Sequence, residues 1–130
     1  MDAINARVLL AEDNKANQRV SKVMLEKIGV EVDLAEDGQQ VLSRLAQKSY
    51  DLILMDCQMP VMDGFEATAA IRQMTDTPYH AIPIVALTAD VQQDTREKCE
   101  TVGMNDFLSK PFSFDSLIDV LLKNLGRQSV

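Results

Sequence analysis

Five short apolar clusters alternate with five amphipathic stretches of helical period, and that alternation limits the fold more than any other feature of the chain. The clusters are RVLLA (Arg7 to Ala11), EVDLA (Glu31 to Ala35), LILMD (Leu52 to Asp56), IVALT (Ile84 to Thr88) and DFLS (Asp106 to Ser109). The spacing predicts helices over about Lys15 to Ile28, Gly38 to Gln47, Gly64 to Met74, Val91 to Val102 and Phe114 to Leu125. Gly29 and Gly103 read as left-handed helix stops, and Asp37 as a helix cap. The stretch from Thr75 to Pro83 holds two prolines and reads as loop.

Strict strand–helix alternation implies a parallel sheet with helices on both faces. The first, third and fourth clusters are continuously apolar, which suits central strands buried on both sides. The second alternates Glu31 and Asp33 with Val32 and Leu34, which suits an edge. The fifth is short and polar at both ends, which suits the other edge. The order 2-1-3-4-5, one of the common doubly wound orders, satisfies both. In such sheets ligands sit outside the carboxyl ends of the strands, where the order reverses between strands one and three.

That rule gathers residues far apart in sequence. Glu12 and Asp13 follow strand one, Asp56 ends strand three, Thr88 ends strand four, and Lys110 and Pro111 follow strand five. Three carboxylates at one rim repel one another. At ~4 Å and an effective dielectric of ~20, each pair costs about 4 kcal/mol. Either their pKa values rise or a cation joins them. Hard oxygen ligands open to water suit Mg²⁺. A lysine and a hydroxyl beside such an ion suit a phosphoryl group, and an aspartate can be the nucleophile that takes it. Singly, each residue has a plainer reading. Asp56 could be a solvated turn acid, the Glu12–Asp13 pair a helix-dipole partner, Thr88 a helix cap and Lys110 a surface charge. Their convergence at four strand ends favours chemistry.

Bulk properties narrow the classes. The 130 residues suit one domain. A net charge of −7, with no clustered Lys and Arg, argues against direct nucleic-acid binding. No apolar run approaches the ~18 residues of a membrane span, and the N-terminus lacks a signal-peptide pattern, so a cytoplasmic location without direct membrane contact is expected, either alone or as the cytoplasmic part of a membrane-bound sensor kinase. Cys57 and Cys99 lie outside any zinc-like spacing; reduced thiols are the simpler expectation, with a disulfide left open. His80, in a proline-bounded loop, is a poor phosphate carrier, and the methionines read as core and loop fillers.

The segments VLLAEDN, LILMDCQMPVMDGFEATAAIR, IPIVALTA and DFLSKPF together resemble the receiver domain of two-component response regulators, over about Arg7 to Leu125. EDNKANQ and DCQMPVMDGFEATAAIR are most similar to receivers of hybrid sensor histidine kinases. The resemblance implies a flavodoxin-like (βα)5 fold and one receiver domain over 1–130, its core about 6–125. It implies that Asp56 accepts a phosphoryl group from a phosphohistidine. It implies Mg²⁺, with Mn²⁺ as a substitute, held by Asp13, Asp56 and the Gln58 backbone carbonyl, with Glu12 acting through water. Lys110 would pair with Asp56 and then with the phosphate, and the Lys110–Pro111 bond after it is usually cis in the family.

Further roles follow from the same resemblance. Thr88 and Phe107 would be the switch residues, acting on the surface around the fourth helix and fifth strand. Phe107 lacks the hydroxyl that many members carry there. Ala89 would leave room for phosphate, and Gln58 and Asp90 would tune its lifetime. The partner would be a histidine kinase or a histidine phosphotransfer protein. The domain would promote its own phosphorylation and dephosphorylation without being a turnover enzyme; a parent hybrid protein would be a histidine kinase.

The alternative is a small Mg-dependent phosphohydrolase with an aspartate nucleophile. Such enzymes resemble the dehalogenase-like group, which places an acid two residues after the nucleophile, where this chain has Gln58. A flavodoxin-like cofactor binder would want a hydroxyl- and Gly-rich loop in place of the acidic AEDNKAN.

A docking face is also expected on the first helix. Ala16, Val20, Met24 and Ile28 have the four-residue spacing of a buried stripe. Val23 lies about 100° from its centre, beside Arg19 and Glu26, and is expected to be partly exposed and available to a partner.

Overall fold

The computed structural model describes residues 5–89 and 92–126. The strands are β1 (Arg7–Ala11), β2 (Glu31–Ala35), β3 (Leu52–Asp56), β4 (Ile84–Thr88) and β5 (Asp106–Ser109). The helices are α1 (Lys15–Ile28), α2 (Gly38–Gln47), α3 (Gly64–Gln73), α4 (Gln93–Val102) and α5 (Phe114–Asn124). All pairings are parallel and the strand order is β2-β1-β3-β4-β5, the known doubly wound order that the apolar patterns are compatible with. Every residue of β3 and β4 is buried, whereas β2 and β5 are only partly covered.

Side chains alternate across the sheet and build two cores. Leu9, Ala11, Ile53 and Met55 pack against Val41 and Leu45 of α2, Ala67 and Ile71 of α3 and Cys99 of α4. Val8, Leu10, Leu52 and Leu54 pack on the other face against Leu25 and Ile28 of α1 and Leu117 and Leu121 of α5. Each fully buried Leu or Ile contributes about 1.5–3 kcal/mol, so the two layers hold the strand ends rigidly in line.

Helix starts are set by side-chain caps. Asn14, Asp37, Asp63 and Ser113 each accept from an amide three residues on, and Asp63 with Glu66 forms a capping box. Gln92 is the residue before α4 and its side chain makes no cap hydrogen bond. Of the start expected near Val91, Val91 itself lies outside the described residues, and the helix is seen from Gln93. Gly29 and Gly103 stop α1 and α4 at φ of 102° and 100°.

The face of α1 differs from the expected one. Its buried residues are Gln18, Ser21, Leu25 and Ile28; Ala16 and Val20 are exposed and Met24 is half-buried. A spacing of four advances 400°, so a stripe from Ala16 to Ile28 winds around the helix instead of staying on one face. The 3-4-3 spacing of the observed set keeps one face. Two of them are polar, and Gln18 is held inside because its side-chain amide donates to the Glu12 backbone carbonyl at the strand-end rim.

Candidate functional site

At the carboxyl end of the sheet, between the turns after β1 and β3, lies a cleft of about 790 Å³. Its lining includes Glu12, Asp13, Asp56, Thr88 and Lys110, which the strand-end rule gathered, and Gln58 and Ala89, which the resemblance added. The order reversal makes the cleft: β1 sends its chain to one side and β3 to the other, leaving a gap above both.

Lys110 Nζ donates to Glu12 Oε2 and to Asp56 Oδ2, both at 2.8 Å, joining residues 98 and 54 positions apart. It directly follows the end of β5, and the Lys110–Pro111 peptide after it is cis. Asp56 Oδ1 accepts from the Gln58 amide at 3.1 Å. Glu12 Oε1 accepts from the Asn14 amide and the Asn17 side chain. Carboxylate oxygens of Glu12, Asp13 and Asp56 all lie within 4.8 Å of one another. Glu12 and Asp56 are buried, at 2% and 7% exposure, while Asp13 is exposed.

Burial pushes the Asp56 carboxyl up to about 6, and its contact with Glu12 adds to this against the opposing pull of Lys110 and the Gln58 amide. Burial acts on Glu12 in the same direction, but hydrogen bonds with Asp56 and Lys110 outweigh it and hold Glu12 below its ordinary value. Lys110 is desolvated too, yet its bonds to Asp56 and Glu12 raise its pKa. One cation therefore serves two buried anions, with a third beside them. The donor set fits a hard divalent ion: three carboxylates of mixed burial, with the exposed Asp13 leaving part of the shell to water.

Thr88 is buried at the end of β4 and its carbonyl accepts from the Lys110 amide. Ala89 is exposed at the mouth. Phe107 is half-buried on β5, with the Arg96 guanidinium of α4 5.0 Å from its ring centre. Asp90 lies outside the described residues. Val23 stands on α1, away from the acids, and is 50% exposed. Cys57 and Cys99 are free and buried, and burial pushes both thiols up. His80 is tied into its loop, Nδ1 lying 3.0 Å from the Thr77 carbonyl oxygen.

Sequence reasoning missed Asn14 and Asn17, which hold Glu12; an Asn just before a helical period was the available signal. It also missed Gly38, whose amide donates to the Met62 carbonyl in the turn after β3. Nothing local marks that contact.

The fold and cleft agree with the comparisons. The profile of the response regulator receiver domain matches residues 8–122, and the chain belongs to that family. It is a receiver domain of two-component phosphorelay signalling. It is 43% identical, over 92% of its length, to hybrid signal transduction histidine kinase B of Dictyostelium discoideum, and spans 7% of that relative. It is 41% identical over 92% of its length to the sensor protein GacS of Pseudomonas syringae, spanning 13% of it. A solved receiver domain of a Pseudomonas aeruginosa sensor histidine kinase superposes with a TM-score of 0.85 at 42% identity, covering 95% of this chain and 99% of that one. That structure has a magnesium ion coordinated in its active-site cleft. No helix among the described residues is long and apolar enough to cross a membrane.

Proposed function

We propose that Asp56 is the phosphoacceptor of this receiver. The observation that carries the reading is a buried carboxylate, bonded to a lysine at 2.8 Å, in an open cleft with two further acids within 4.8 Å. An Asp56 carboxylate oxygen forms the new P–O bond, the P–N bond of a phosphohistidine breaks, and the departing imidazole nitrogen keeps that electron pair and takes a proton from water. Lys110, already at the attacking carboxylate, is placed to follow the phosphoryl oxygens as charge moves onto them.

Asp13, Asp56 and the Gln58 backbone carbonyl would hold Mg²⁺, or Mn²⁺ in its place, with Glu12 acting through water. The bound ion supplies charge neutralisation for the phosphoryl oxygens. Thr88, at the neighbouring strand end, would donate its hydroxyl to a phosphoryl oxygen, and Phe107 would follow on β5, changing the surface around α4 and β5. Ala89 keeps the entrance clear, and Gln58 and Asp90 would set the rate of hydrolysis.

The donor is a histidine kinase or a histidine phosphotransfer protein that docks near Val23. The domain spans 1–130 and works in the cytoplasm as a switch. It promotes its own phosphorylation and dephosphorylation without turnover chemistry. Incubation with acetyl phosphate and Mg²⁺, read by intact mass and peptide mapping, should add one phosphoryl group at Asp56. Labelling that persists in Asp56→Asn would overturn the assignment.

A further inference from the structure

The open edge of the sheet carries backbone groups and charge that the rest of the chain does not use. Strand β2 ends the sheet, beyond β1. The Glu31 amide donates to the Ala6 carbonyl, and the Ala35 carbonyl accepts from the Glu12 amide. With Arg7 beside Glu31 and Ala11 beside Ala35, alternate residues of β2 turn their backbone groups to β1. The groups of Val32 and Leu34, which lie between, face outward. The Leu34 carbonyl accepts from Arg44 Nε at 3.3 Å. The Val32 amide and carbonyl and the Leu34 amide remain as a strand edge that no other strand covers among the described residues.

This edge lies in a groove of about 590 Å³. Helix α1, which packs on one face of the sheet, brings Lys22 to it. Helix α2, on the other face, brings Arg44 and, at its end, Lys48. The acids nearby already have cations. Glu31 pairs with Arg7, Asp33 with Lys48 and, just past the strand, Glu36 with Lys15. Lys22 and Arg44 make no ion pair among the described residues. In a chain of net charge −7, two uncompensated cations astride an open strand edge are a local reversal of sign.

Charges on an edge strand commonly guard it against pairing. Here the guard is selective. A second copy would set the same two cations against one another, and a basic segment would be repelled. An extended acidic segment is drawn in. Laid beside β2, it hydrogen-bonds the outward groups of Val32 and Leu34, and its successive side chains point to opposite faces of the sheet. Neighbouring carboxylates then meet Lys22 on one face and Arg44 on the other.

We propose that the open edge of β2 binds an extended acidic segment of a partner protein, which adds to the sheet beside Val32 and Leu34 and places carboxylates against Lys22 and Arg44. The groove shares no lining residue with the acid cleft, so this binding does not depend on which acid accepts a phosphoryl group.

The test uses the full chain and a short fluorescent peptide in which β-favouring residues flank a central run of Glu. The same peptide with Gln in place of Glu is the control. Fluorescence polarisation should show binding of the Glu peptide, weakened by salt, and none of the Gln peptide. Lys22→Ala and Arg44→Ala should each weaken binding about fivefold, the upper worth of an exposed ion pair. Arg44 also bonds the Leu34 carbonyl, so Lys22→Ala is the variant that leaves the bonds of the strand intact. In amide hydrogen exchange, saturating peptide should slow Val32 and Leu34. Absence of binding to the wild-type chain would overturn the proposal, as would equal binding of the two peptides or wild-type affinity in Lys22→Ala. Binding that leaves exchange at Val32 and Leu34 unchanged would also overturn it, and would assign the affinity to surface charge alone. Exchange at these amides that slows with protein concentration in the absence of peptide would put a second copy on the edge, against the proposal.

Discussion

Lys110 meets Asp56 at 2.8 Å, and Lys48 meets Asp33 at 3.0 Å. The partners are the same and the lengths nearly so, yet the two aspartates shift in opposite directions. Asp33, on the open edge of the sheet, is held below its ordinary range, first by the Tyr50 hydroxyl and then by Lys48. Tyr50 is pushed up to about 12, by burial and then by Asp33. Asp56 is pushed up to about 6 because burial and Glu12 outweigh its lysine. The Asp33 side chain keeps 34% exposure and Asp56 only 9%. A lysine alone therefore does not decide what a carboxylate does; desolvation and neighbouring anions do. The edge cluster is already balanced and ties β2 to the end of α2. The pocket holds more negative charge than Lys110 can neutralise, and that excess is what a metal ion or an incoming phosphoryl group can use.

The comparison breaks most sharply on labelling. Asp56→Asn should abolish incorporation from acetyl phosphate and Mg²⁺, while Asp33→Asn should leave it at the wild-type level. Intact mass decides this, and loss in both variants would mean that the edge cluster supports the pocket. The next largest effect concerns the ion. Calorimetric titration should find Mg²⁺ binding weakened about tenfold by Glu12→Ala, as expected for a ligand acting through water, and more than that by Asp13→Ala. Equal losses would place both acids in the same shell. Lys48→Ala should leave the titration unchanged.

Smaller still is the effect expected at α1. Val23→Glu should slow transfer from a histidine phosphotransfer protein about tenfold and leave acetyl phosphate labelling alone. A drop in both would point to damage to the fold.

Much of this was legible in the chain because the deciding signals are local. Strands β1, β3 and β4 read as buried because they are apolar without interruption, and their terminal residues then fall on one rim by topology alone. Asp56 and Lys110 needed no contact map once the order was set. The face of α1 was misread because its upper half buries Gln18 and Ser21, and a polarity pattern assigns such residues to solvent. Gln18 is inside because of what it bonds, the Glu12 carbonyl, and that partner belongs to the site and not to the helix. The Asp33–Tyr50 bond was equally hidden: Asp33 served only as the polar half of an alternation, and its partner lies 17 residues away beyond a whole helix. Contacts of this kind follow from the assembled fold and leave no period in the sequence.

The smallest effect tests the balanced member of the pair. A folded-state pKa below the unfolded one gives stability that is present above the unfolded value, about 3.9, and is lost as pH falls through the lowered folded value. Asp33 is shifted that way, so its cluster should stabilise the chain at neutral pH and not in acid. Tyr50→Phe removes the largest contribution to the Asp33 shift while keeping the ring packed. The group is about a third exposed, so screening limits the loss to less than about 1 kcal/mol. In urea titrations, the stability difference between wild type and Tyr50→Phe should be open at neutral pH and narrow below about pH 4. Added salt should narrow it less than acid does, because the hydroxyl is neutral and only Lys48 is screened. A difference constant across the whole range would mean that Tyr50 contributes through packing alone, and the contrast with Asp56 would then rest on burial without any part for hydrogen bonding.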